Sequence, residues 1–288
     1  MKKLIFATTI LLSQQAFAGV LPNWMVSRDY QEIESSNGAT LYKSNDDSFH
    51  AIYVDLGKAQ LHFGRAEDTG NTNTWDHKLF RRKNQNEFWN DYATSITFGF
   101  VNGQFFNNDN NHKYSTPISF PLQSHWSTYQ KSIDGNRNIY SLYVKSGKYY
   151  LKNSYSSNDL KYTQNLITGW HLTEMSHPFE SGIKDNFTHI GVIPKDSRCI
   201  ATKSTCEAKA LIFMISENEY LLSGPYELYK KWNVSYDNII RLDSGGSTQY
   251  KTRSESFWED KAKYKTPRTL PHMIEIQDRQ SCAPGFSC

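Results

Sequence analysis

The sequence predicts an α+β fold, a single domain with twisted, mainly antiparallel sheets and a few helices. Three observations predict it. The chain of 288 residues is 38% hydrophobic, 21% charged and 14% aromatic, which is typical of folded globular proteins. Short apolar runs alternate with polar turns rich in Asn, Ser, Tyr and Gly. One segment, 224–233, carries a clear helix start signal.

The first eighteen residues have the three parts of a secretory signal peptide. Lys2 and Lys3 precede an apolar run at 4–12, and Ala16-Phe17-Ala18 supplies a small-x-small end. The apolar run is about half of the ~20 residues that a spanning helix needs, and no later segment approaches that length. We therefore expect a mature chain that begins at Gly19, has no membrane span and resides in a bacterial periplasm or the medium.

The charge of the chain argues against a polyanionic partner. The formal net charge is +3, from 32 Lys and Arg against 29 Asp and Glu. Removal of Lys2 and Lys3 leaves 30 against 29, or +1. A near-neutral protein has no electrostatic basis for binding nucleic acid or an anionic membrane, so neither partner is expected.

Four cysteines, Cys199, Cys206, Cys282 and Cys288, suit an oxidising compartment. Three pairings are formally possible. The local pairs 199–206 and 282–288 need little loop closure, and we favour them. Because no CxxC occurs and no histidine lies at ligand spacing beside a cysteine, we expect no metal site, and no motif calls for a cofactor.

Two hairpins and three central strands follow from the apolar runs. The first hairpin joins 51–56 to 60–63 around Gly57, and the second joins 138–144 to 148–151 around Ser146-Gly147. The likeliest central strands are 95–101, 189–193 and 208–215.

One helix is predicted with Gly224 as its N-cap, Pro225 at the first helical position and Glu227 at the third. Leu228 and Trp232 lie on one face of it, and it ends near residue 233. The chain then enters a strand at 239–242 that stops at the loop 243–248.

The stretch 106–136 is long, polar and rich in turns. A loop of this length is usually a cover over a site or an excursion without regular structure. Tyr114, Phe120 and Trp126 interrupt it, which favours a partly ordered cover, although ordinary packing remains the alternative for any single ring.

Two glycine-bearing segments, 101–107 (VNGQFFN) and 242–248 (LDSGGST), each follow an apolar strand. Missing Cβ atoms let an anionic ligand approach main-chain N–H groups closely. A carboxylate beside such amides, here Asp243, can act as a base or nucleophile. Each segment alone is weak evidence, because a Gly-Gly turn after a strand is more often only a turn. The expected site between the loops of Asn102 and Asp243 rests on the two segments together and on the family resemblance that follows.

The order NGQFF, GPYELYKKW, IIRLDSGGSTQY and RTLPHMIEI, spread over 51–276, resembles the phosphodiester glycosidase family. This is the domain of N-acetylglucosamine-1-phosphodiester alpha-N-acetylglucosaminidase, and bacterial members are linked to exopolysaccharide metabolism. The resemblance divides the chain into a signal peptide (1–18), an N-terminal extension (19–49), the glycosidase-like domain (50–276) and a disulfide-tied tail (277–288).

Three departures from the family pattern stand out. Gln104 replaces the second glycine of Asn-Gly-Gly-Phe-Phe, and Ser244 replaces the first glycine of Leu-Asp-Gly-Gly-Gly-Ser. The family's Arg-Thr-Ala-Ile-Gly falls on 187–191, where Phe187 takes the arginine position and His189 the alanine position. If that arginine binds phosphate, Arg241 or Arg268 must supply the charge here.

The resemblance implies hydrolysis of a sugar 1-phosphodiester at the glycosidic C1–O bond, with a sugar-phosphate or glycan as substrate. Asp243 would attack or activate water, and Asn102 would orient the sugar or water. The substrate-binding residues would be Gly103, Gln104, His189, Arg241, Gly245, Gly246, Ser247, Thr248 and Arg268. The rival hypothesis is a catalytically impaired carbohydrate-binding module of the same fold, and a secreted partner-binding factor is a third class.

Each candidate also has a purely structural interpretation. Asp243 and Asn102 are residue types that stabilise their own turns. His189 on a strand is more often a core histidine than a catalyst. Arg241 alternates with an apolar neighbour and so fits a solvent-facing position. Asp55 is a possible second carboxylate, but a turn-edge role is favoured for it.

Overall fold

A computed structural model describes residues 28–72, 78–106, 115–120, 122–124, 127–130, 139–153, 163–171, 184–258 and 267–280. Strands take up 58% of these residues and helices 12%. The predicted α+β class is therefore wrong, and the fold is β-rich. Alternating β-branched and aromatic residues form pleated strands through most of the polar, turn-rich sequence, and the two described α-helices, of 8 and 10 residues, are too short to form a layer of their own.

Eighteen strands occur in the described part of the chain. In chain order they are β1 (Tyr30–Ser35), β2 (Ala39–Ser44), β3 (Phe49–Asp55), β4 (Ala59–Thr72), β5 (Lys78–Arg81), β6 (Thr97–Asn102), β7 (Ser115–Thr116), β8 (Leu122–Ser124), β9 (Ser127–Gln130), β10 (Ile139–Lys145), β11 (Lys148–Asn153), β12 (Asn165–His171), β13 (Lys184–Pro194), β14 (Cys206–Tyr220), β15 (Ile239–Arg241), β16 (Gln249–Thr252), β17 (Ser256–Trp258) and β18 (His272–Asp278).

The strands form two sheets, and every pairing between named strands is antiparallel, as predicted. The eleven-stranded sheet runs β1-β2-β3-β14-β11-β10-β12-β15-β13, with β8 and β9 attached through β12. Because β13 also pairs with β14, the path from β14 to β13 closes on itself. The seven-stranded sheet has the order β17-β16-β6-β18-β4-β5-β7.

The first predicted hairpin is wrong, although both of its strands exist. β3 pairs with β2 and β14 in the larger sheet, whereas β4 pairs with β18 and β5 in the smaller one. The turn at Gly57 therefore carries the chain from one sheet to the other. β3 is largely buried and β4 is buried mainly in its first half, and each strand has partners of its own on both edges.

The other predicted strands are confirmed. β10 and β11 form the second hairpin, with Lys145 opposite Lys148. β6 lies between β16 and β18, and β14 lies between β3 and β13. Part of the segment assigned to an N-terminal extension forms β1 and β2. β1 pairs with β2, and β2 pairs with β3.

Two α-helices are described, α1 (Gln85–Tyr92) and α2 (Ser223–Trp232). The sequence analysis missed α1, although a capping box marks its start: the Asn84 side chain accepts from the Glu87 N–H, and the Glu87 side chain accepts from the Asn84 N–H. Two 3₁₀ turns, Tyr236–Asn238 and Gly245–Ser247, flank β15.

The predicted N-cap of α2 is wrong, because the helix begins at Ser223 with Leu222 as its cap. Gly224 therefore lies within the first turn. The predicted end is confirmed: Asn233 follows the last helical residue with a left-handed φ of 54°. Leu228 is buried and Trp232 packs beside it, as the predicted apolar face requires.

Buried residues of the two sheets pack together in one cluster. Leu41 and Ile52 of the larger sheet belong to it with Leu61 and Ile276 of the smaller sheet. The sheets thus share a core, and sites at their edges are held by elements of both.

The Cys199–Cys206 disulfide is confirmed, and it joins the loop before β14 to the first residue of that strand. Cys282 and Cys288 lie outside the described residues, as does the predicted signal peptide. No helix in the described ranges combines the length and the apolarity needed to cross a lipid bilayer.

Candidate functional site

The loops of Asn102 and Asp243 meet, although 141 residues separate them. Asn102 is the last residue of β6 in the smaller sheet, and Asp243 follows β15 of the larger sheet. Asn102 Nδ2 donates to the Asp243 main-chain oxygen at 3.1 Å, and the Asp243 N–H donates to the Gly103 oxygen at 3.4 Å. The two predicted motifs therefore form one structural unit.

Asn102 is buried, and its side chain bonds only within the protein. Its Oδ1 accepts from Thr188 Oγ1 at 2.7 Å and from the Gln249 N–H at 3.3 Å, while Nδ2 also reaches the Gly103 oxygen at 3.4 Å. All four hydrogen-bonding positions of an amide are thereby used. Asn102 consequently positions the two loops and has no polar group left for a substrate.

Gly103 is required by its neighbour His272. A Cβ at position 103 would lie 1.9 Å from His272 Cε1. The imidazole accepts the Gln104 N–H through Nε2 at 3.1 Å, and its Nδ1 lies 3.3 Å from the Phe63 oxygen. Burial lowers the pKa of His272 to about 4, so the ring is neutral. The sequence analysis missed this role, since no spacing rule links positions 103 and 272.

Gln104, the residue after Gly103, is also buried. Its Nε2 donates to the Phe120 oxygen at 2.5 Å, and its Oε1 accepts from the Thr168 N–H at 3.0 Å. The amide thus joins β12 to the segment of Phe120 instead of facing a ligand.

Asp243 is half-buried and carries the carboxylate of the site. Its Oδ1 accepts from the Ser244 N–H at 2.9 Å, which is the local turn bond that the structural interpretation predicts. Burial raises its pKa, and a hydrogen bond from the Ser247 hydroxyl opposes the rise together with the charges of Arg268 and Arg241. The carboxylate therefore has both a local turn bond and two cationic neighbours.

Arg241 is enclosed by aromatic rings and does not occupy a plain solvent-facing position. Its guanidinium carbon lies 5.2 Å from the ring centre of Phe187, 5.7 Å from Phe105 and 6.0 Å from Trp170. Nη2 donates to Ser244 Oγ at 2.8 Å. Burial lowers its pKa to about 10, so it remains charged at neutral pH. The guanidinium of Arg241, the last residue of β15, thus lies directly against the ring of Phe187.

Two cations, Arg268 and Arg82, lie close to the ring of Phe106. Arg268 lies 5.5 Å from the centre of that ring and donates to Ser247 Oγ at 3.3 Å. Arg82 lies 5.3 Å from the same ring, and its Nη2 donates to the Thr269 oxygen at 3.0 Å. Burial and the charge of Arg268 lower the pKa of Arg82. Sequence reasoning missed Arg82, whose one signal is the basic run at 81–83.

The glycine turn after Asp243 has a left-handed residue at its start. Gly245 has φ +62°, and a Cβ there would lie 3.4 Å from Asp185 Oδ2. The Ser247 and Thr248 N–H groups donate within the turn, to the Ser244 and Gly245 oxygens. The N–H groups of Gly245 and Gly246 donate no hydrogen bond to the described residues, so the turn offers two main-chain donors.

Ser247 and Thr248 are buried, whereas Ser244, Gly245 and Gly246 are half-exposed. Asp185 is a second carboxylate beside the turn that nothing in the sequence marks. Its charge raises the pKa of Arg241, against the larger effect of burial.

His189 lies opposite Arg241 in the pairing of β13 with β15 and is fully buried. Burial lowers its pKa to about 3, and the charge of Arg241 acts in the same direction. Neither ring nitrogen has a hydrogen-bond partner in the described part of the chain. His189 is therefore buried beside Arg241, but within the described residues it is not the core histidine with satisfied hydrogen bonds that a structural role predicts.

Asp55 is not part of this site. Its Oδ1 accepts from the Gly57 N–H at 2.9 Å, which confirms the turn-edge role. Of the aromatic residues in the predicted cover, Phe120 packs against Phe105 at 5.7 Å and Trp170 at 6.0 Å. Tyr114 and Trp126 lie outside the described residues.

The arrangement suits an anionic ligand. Arg241, Arg268 and the two glycines are half-exposed around the Asp243 carboxylate, and the half-exposed ring of Trp170 is stacked on Phe105 at 4.8 Å. Charged and main-chain donors of this kind hold oxyanions. The described residues contain no group of three or more His, Cys, Asp or Glu placed to hold a metal ion.

No family model matches the chain, and no curated protein sequence matches it. A solved structure titled as a hypothetical protein from Synechocystis aligns with a TM-score of 0.47 and 9% sequence identity. The alignment covers 88% of this chain and spans 64% of the length of that one.

Proposed function

We propose that this protein is a hydrolase that cleaves a sugar 1-phosphodiester at its glycosidic bond, outside the cytoplasm, in the metabolism of a surface or extracellular glycan. One observation carries the proposal: the half-exposed Asp243 carboxylate lies within electrostatic reach of two guanidinium groups, Arg241 and Arg268, from separate segments. A phosphodiester is anionic, and a carboxylate beside paired cations can act on a ligand whose charge those cations bind.

The chemistry assigned to these groups is simple. The bond between C1 and the phosphate oxygen breaks, and its electron pair leaves with the phosphate. A water oxygen bonds to C1 and transfers a proton to Asp243, so the products are the free sugar and a phosphomonoester. Because phosphate is a good leaving group, the site needs little general-acid assistance. Arg241, Arg268 and the Gly245 and Gly246 N–H groups would stabilise the charge on the departing phosphate.

The second candidate is a carbohydrate-binding module of the same fold. The bonding of Asn102 favours it, because the residue expected to orient the sugar or water has all its polar atoms engaged within the protein. The half-exposed Trp170 ring suits either function, since a flat aromatic face packs against a sugar ring.

The test is to incubate the purified protein with a panel of sugar 1-phosphodiesters that differ in sugar and aglycone, and to measure released sugar. We expect turnover with at least one member and its loss in Asp243→Asn. Asp196→Asn is the matched control, because Asp196 is an exposed carboxylate paired with Arg198 on the surface. Saturable glycan binding without turnover would establish the module instead, and turnover that survives Asp243→Asn would refute the assignment of the carboxylate.

A further inference from the structure

A large cleft with polar and apolar lining residues lies between the two sheets, away from Asp243. It has a volume of about 620 Å³, and ligand sites typically measure about 300–1,000 Å³. β4 and the end of β18 form one wall, while β10, β11 and the start of β12 form the other. Its lining residues are Gln60, Leu61, His62, Ile96, Val144, Gly147, Tyr149, Gln164, Asn165, Arg279 and Gln280.

The cleft and the Asp243 site lie at opposite ends of two shared strands. β12 starts in the cleft at Asn165 and brings Trp170 to Arg241 near its other end. β18 starts at His272 beside Gly103 and finishes next to Arg279. Since a strand rises about 3.3 Å per residue, these five- and seven-residue separations correspond to roughly 15–25 Å. A ligand in the cleft therefore makes no contact with the Asp243 carboxylate.

Arg279 gives the cleft a fixed positive charge. Its Nε donates to the Ala59 oxygen at 3.0 Å and its Nη2 to the Gly147 oxygen at 3.3 Å, which orients the guanidinium. No carboxylate of the described residues lies within ion-pair distance of it. Two neutral carbonyls leave the full charge in place, so an anionic ligand group would find an oriented and uncompensated partner.

A smaller cleft of about 260 Å³ adjoins the first and shares Gly147, Tyr149 and Arg279 with it. Lys148, Lys195 and Lys209 line it with the carboxylates Asp55 and Glu207. Four cations thus face two carboxylates around the joined clefts, for a net charge of +2. The lysines of the smaller cleft therefore add to the positive charge around Arg279.

Side-chain amides supply most of the remaining polar groups. The amides of Gln164 and Gln280 make no hydrogen bond to the described residues, and only Nε2 of Gln60 is engaged, with Gln277. An amide both donates and accepts, as a hydroxyl group does, so a row of amides matches a ligand rich in hydroxyls. Leu61, Ile96, Val144 and Tyr149 also give the cleft apolar surface, so an acidic peptide is the rival ligand that the test must distinguish.

We propose that this cleft binds an acidic oligosaccharide, with a carboxylate or phosphate of the sugar on Arg279 and the sugar hydroxyls on the amides of Gln60, Gln164 and Gln280. The site uses none of the groups assigned to hydrolysis, so it stands whether or not the protein is a hydrolase.

The test is a calorimetric or NMR titration of the full chain with trigalacturonate, and in parallel with maltotriose, inorganic phosphate and tetraglutamate. We expect saturable binding of trigalacturonate and clearly weaker binding of the other three probes. Arg279→Gln should weaken it about tenfold, the cost of one charge-assisted contact. Gln164→Leu should weaken it without touching the guanidinium, and Lys203→Gln, at an exposed lysine outside both clefts, should not change it.

Absence of saturable trigalacturonate binding would overturn the proposal. So would equal binding of tetraglutamate or inorganic phosphate, which would indicate an acidic peptide or a simple anion. Binding that persists in both Arg279→Gln and Gln164→Leu but is lost in Arg241→Gln would place the ligand at the other site and would equally refute this one. Thermal unfolding of each variant distinguishes lost binding from lost folding.

Discussion

Asn102 Nδ2 donates a hydrogen bond of 3.1 Å to the main-chain oxygen of Asp243, across 141 residues of sequence and between the two sheets. The same amide accepts from Thr188 and from the Gln249 N–H. One buried side chain therefore fixes the loop that carries the candidate carboxylate, and several predictions about stability and turnover depend on that fixation.

Removing this amide should destabilise the whole chain. Asn102→Ala leaves the Thr188 hydroxyl, the Gln249 N–H and the Asp243 oxygen without their partner, and an unsatisfied buried group costs about 1–3 kcal/mol. We expect the free energy of unfolding to fall by about 3 kcal/mol in urea titrations. Asn45→Ala, at an exposed asparagine, is the control and should change it little. An unchanged midpoint for Asn102→Ala would contradict the network.

Gly103 should tolerate no side chain. A Cβ there would lie 1.9 Å from His272 Cε1, and neither the buried ring nor strand β6 has room to move. Gly103→Ala should therefore cost more than the roughly 1–3 kcal/mol of ordinary overpacking, or prevent folding. Gly57→Ala is the matched control, because its nearest atom is a flexible carboxylate oxygen at 3.1 Å. Equal thermal stability of the two variants would show that the close approach to His272 is wrong.

Stability should fall as the pH is lowered below neutrality. Burial lowers the pKa of His272 to about 4 and that of His189 to about 3, while an unfolded imidazole titrates near ~6.5. Between these values the unfolded chain binds protons that the native state does not. The free energy of unfolding should then drop by about 1.4 kcal/mol per pH unit for each histidine.

Urea unfolding between pH 7.5 and pH 5 measures this slope. Burial also lowers the pKa of His171, so His189→Leu removes one of several contributing rings and the slope should become shallower by up to about 1.4 kcal/mol per pH unit. A variant with the same slope as the unaltered protein would show that His189 does not stay neutral in the folded state.

The Cys199–Cys206 disulfide closes a short loop before β14. In the chain-entropy account, a bridge across eight residues contributes about 2.5 kcal/mol. Cys199→Ser should lower the midpoint of urea unfolding accordingly, and a reducing agent should have the same effect on the unaltered protein. If the reducing agent destabilised Cys199→Ser equally, the effect would belong to another bridge.

The strands and the meeting of the two motifs followed from the sequence, but their pairing did not. Apolar runs locate β3 and β4, yet local pattern contains nothing to show that they belong to different sheets, because strand partners are chosen by the packing of the whole chain. The capping box of α1 was present in the sequence and went unused. Arg82, Asp185 and His272 reach the site through β-pairing with distant segments, so no local spacing could identify them.

Arg268 offers the sharpest test of the proposed chemistry, because its charge lowers the pKa of Asp243 while burial raises it. Arg268→Gln keeps a hydrogen-bond donor near Ser247 but removes the charge, so the pKa of Asp243 should rise. If Asp243 must be ionised for turnover, the variant should lose activity at a higher pH as the solution is acidified. The acidic limb of the kcat/KM profile should therefore shift to higher pH. Loss of the positive charge beside the leaving phosphate should also lower kcat by about a hundredfold. Lys251→Gln is the control, since Lys251 lies on β16 over Trp89 and away from Asp243. A fall in kcat with an unmoved acidic limb would mean that Arg268 binds phosphate without acting on Asp243, and an unchanged profile throughout would remove it from the site.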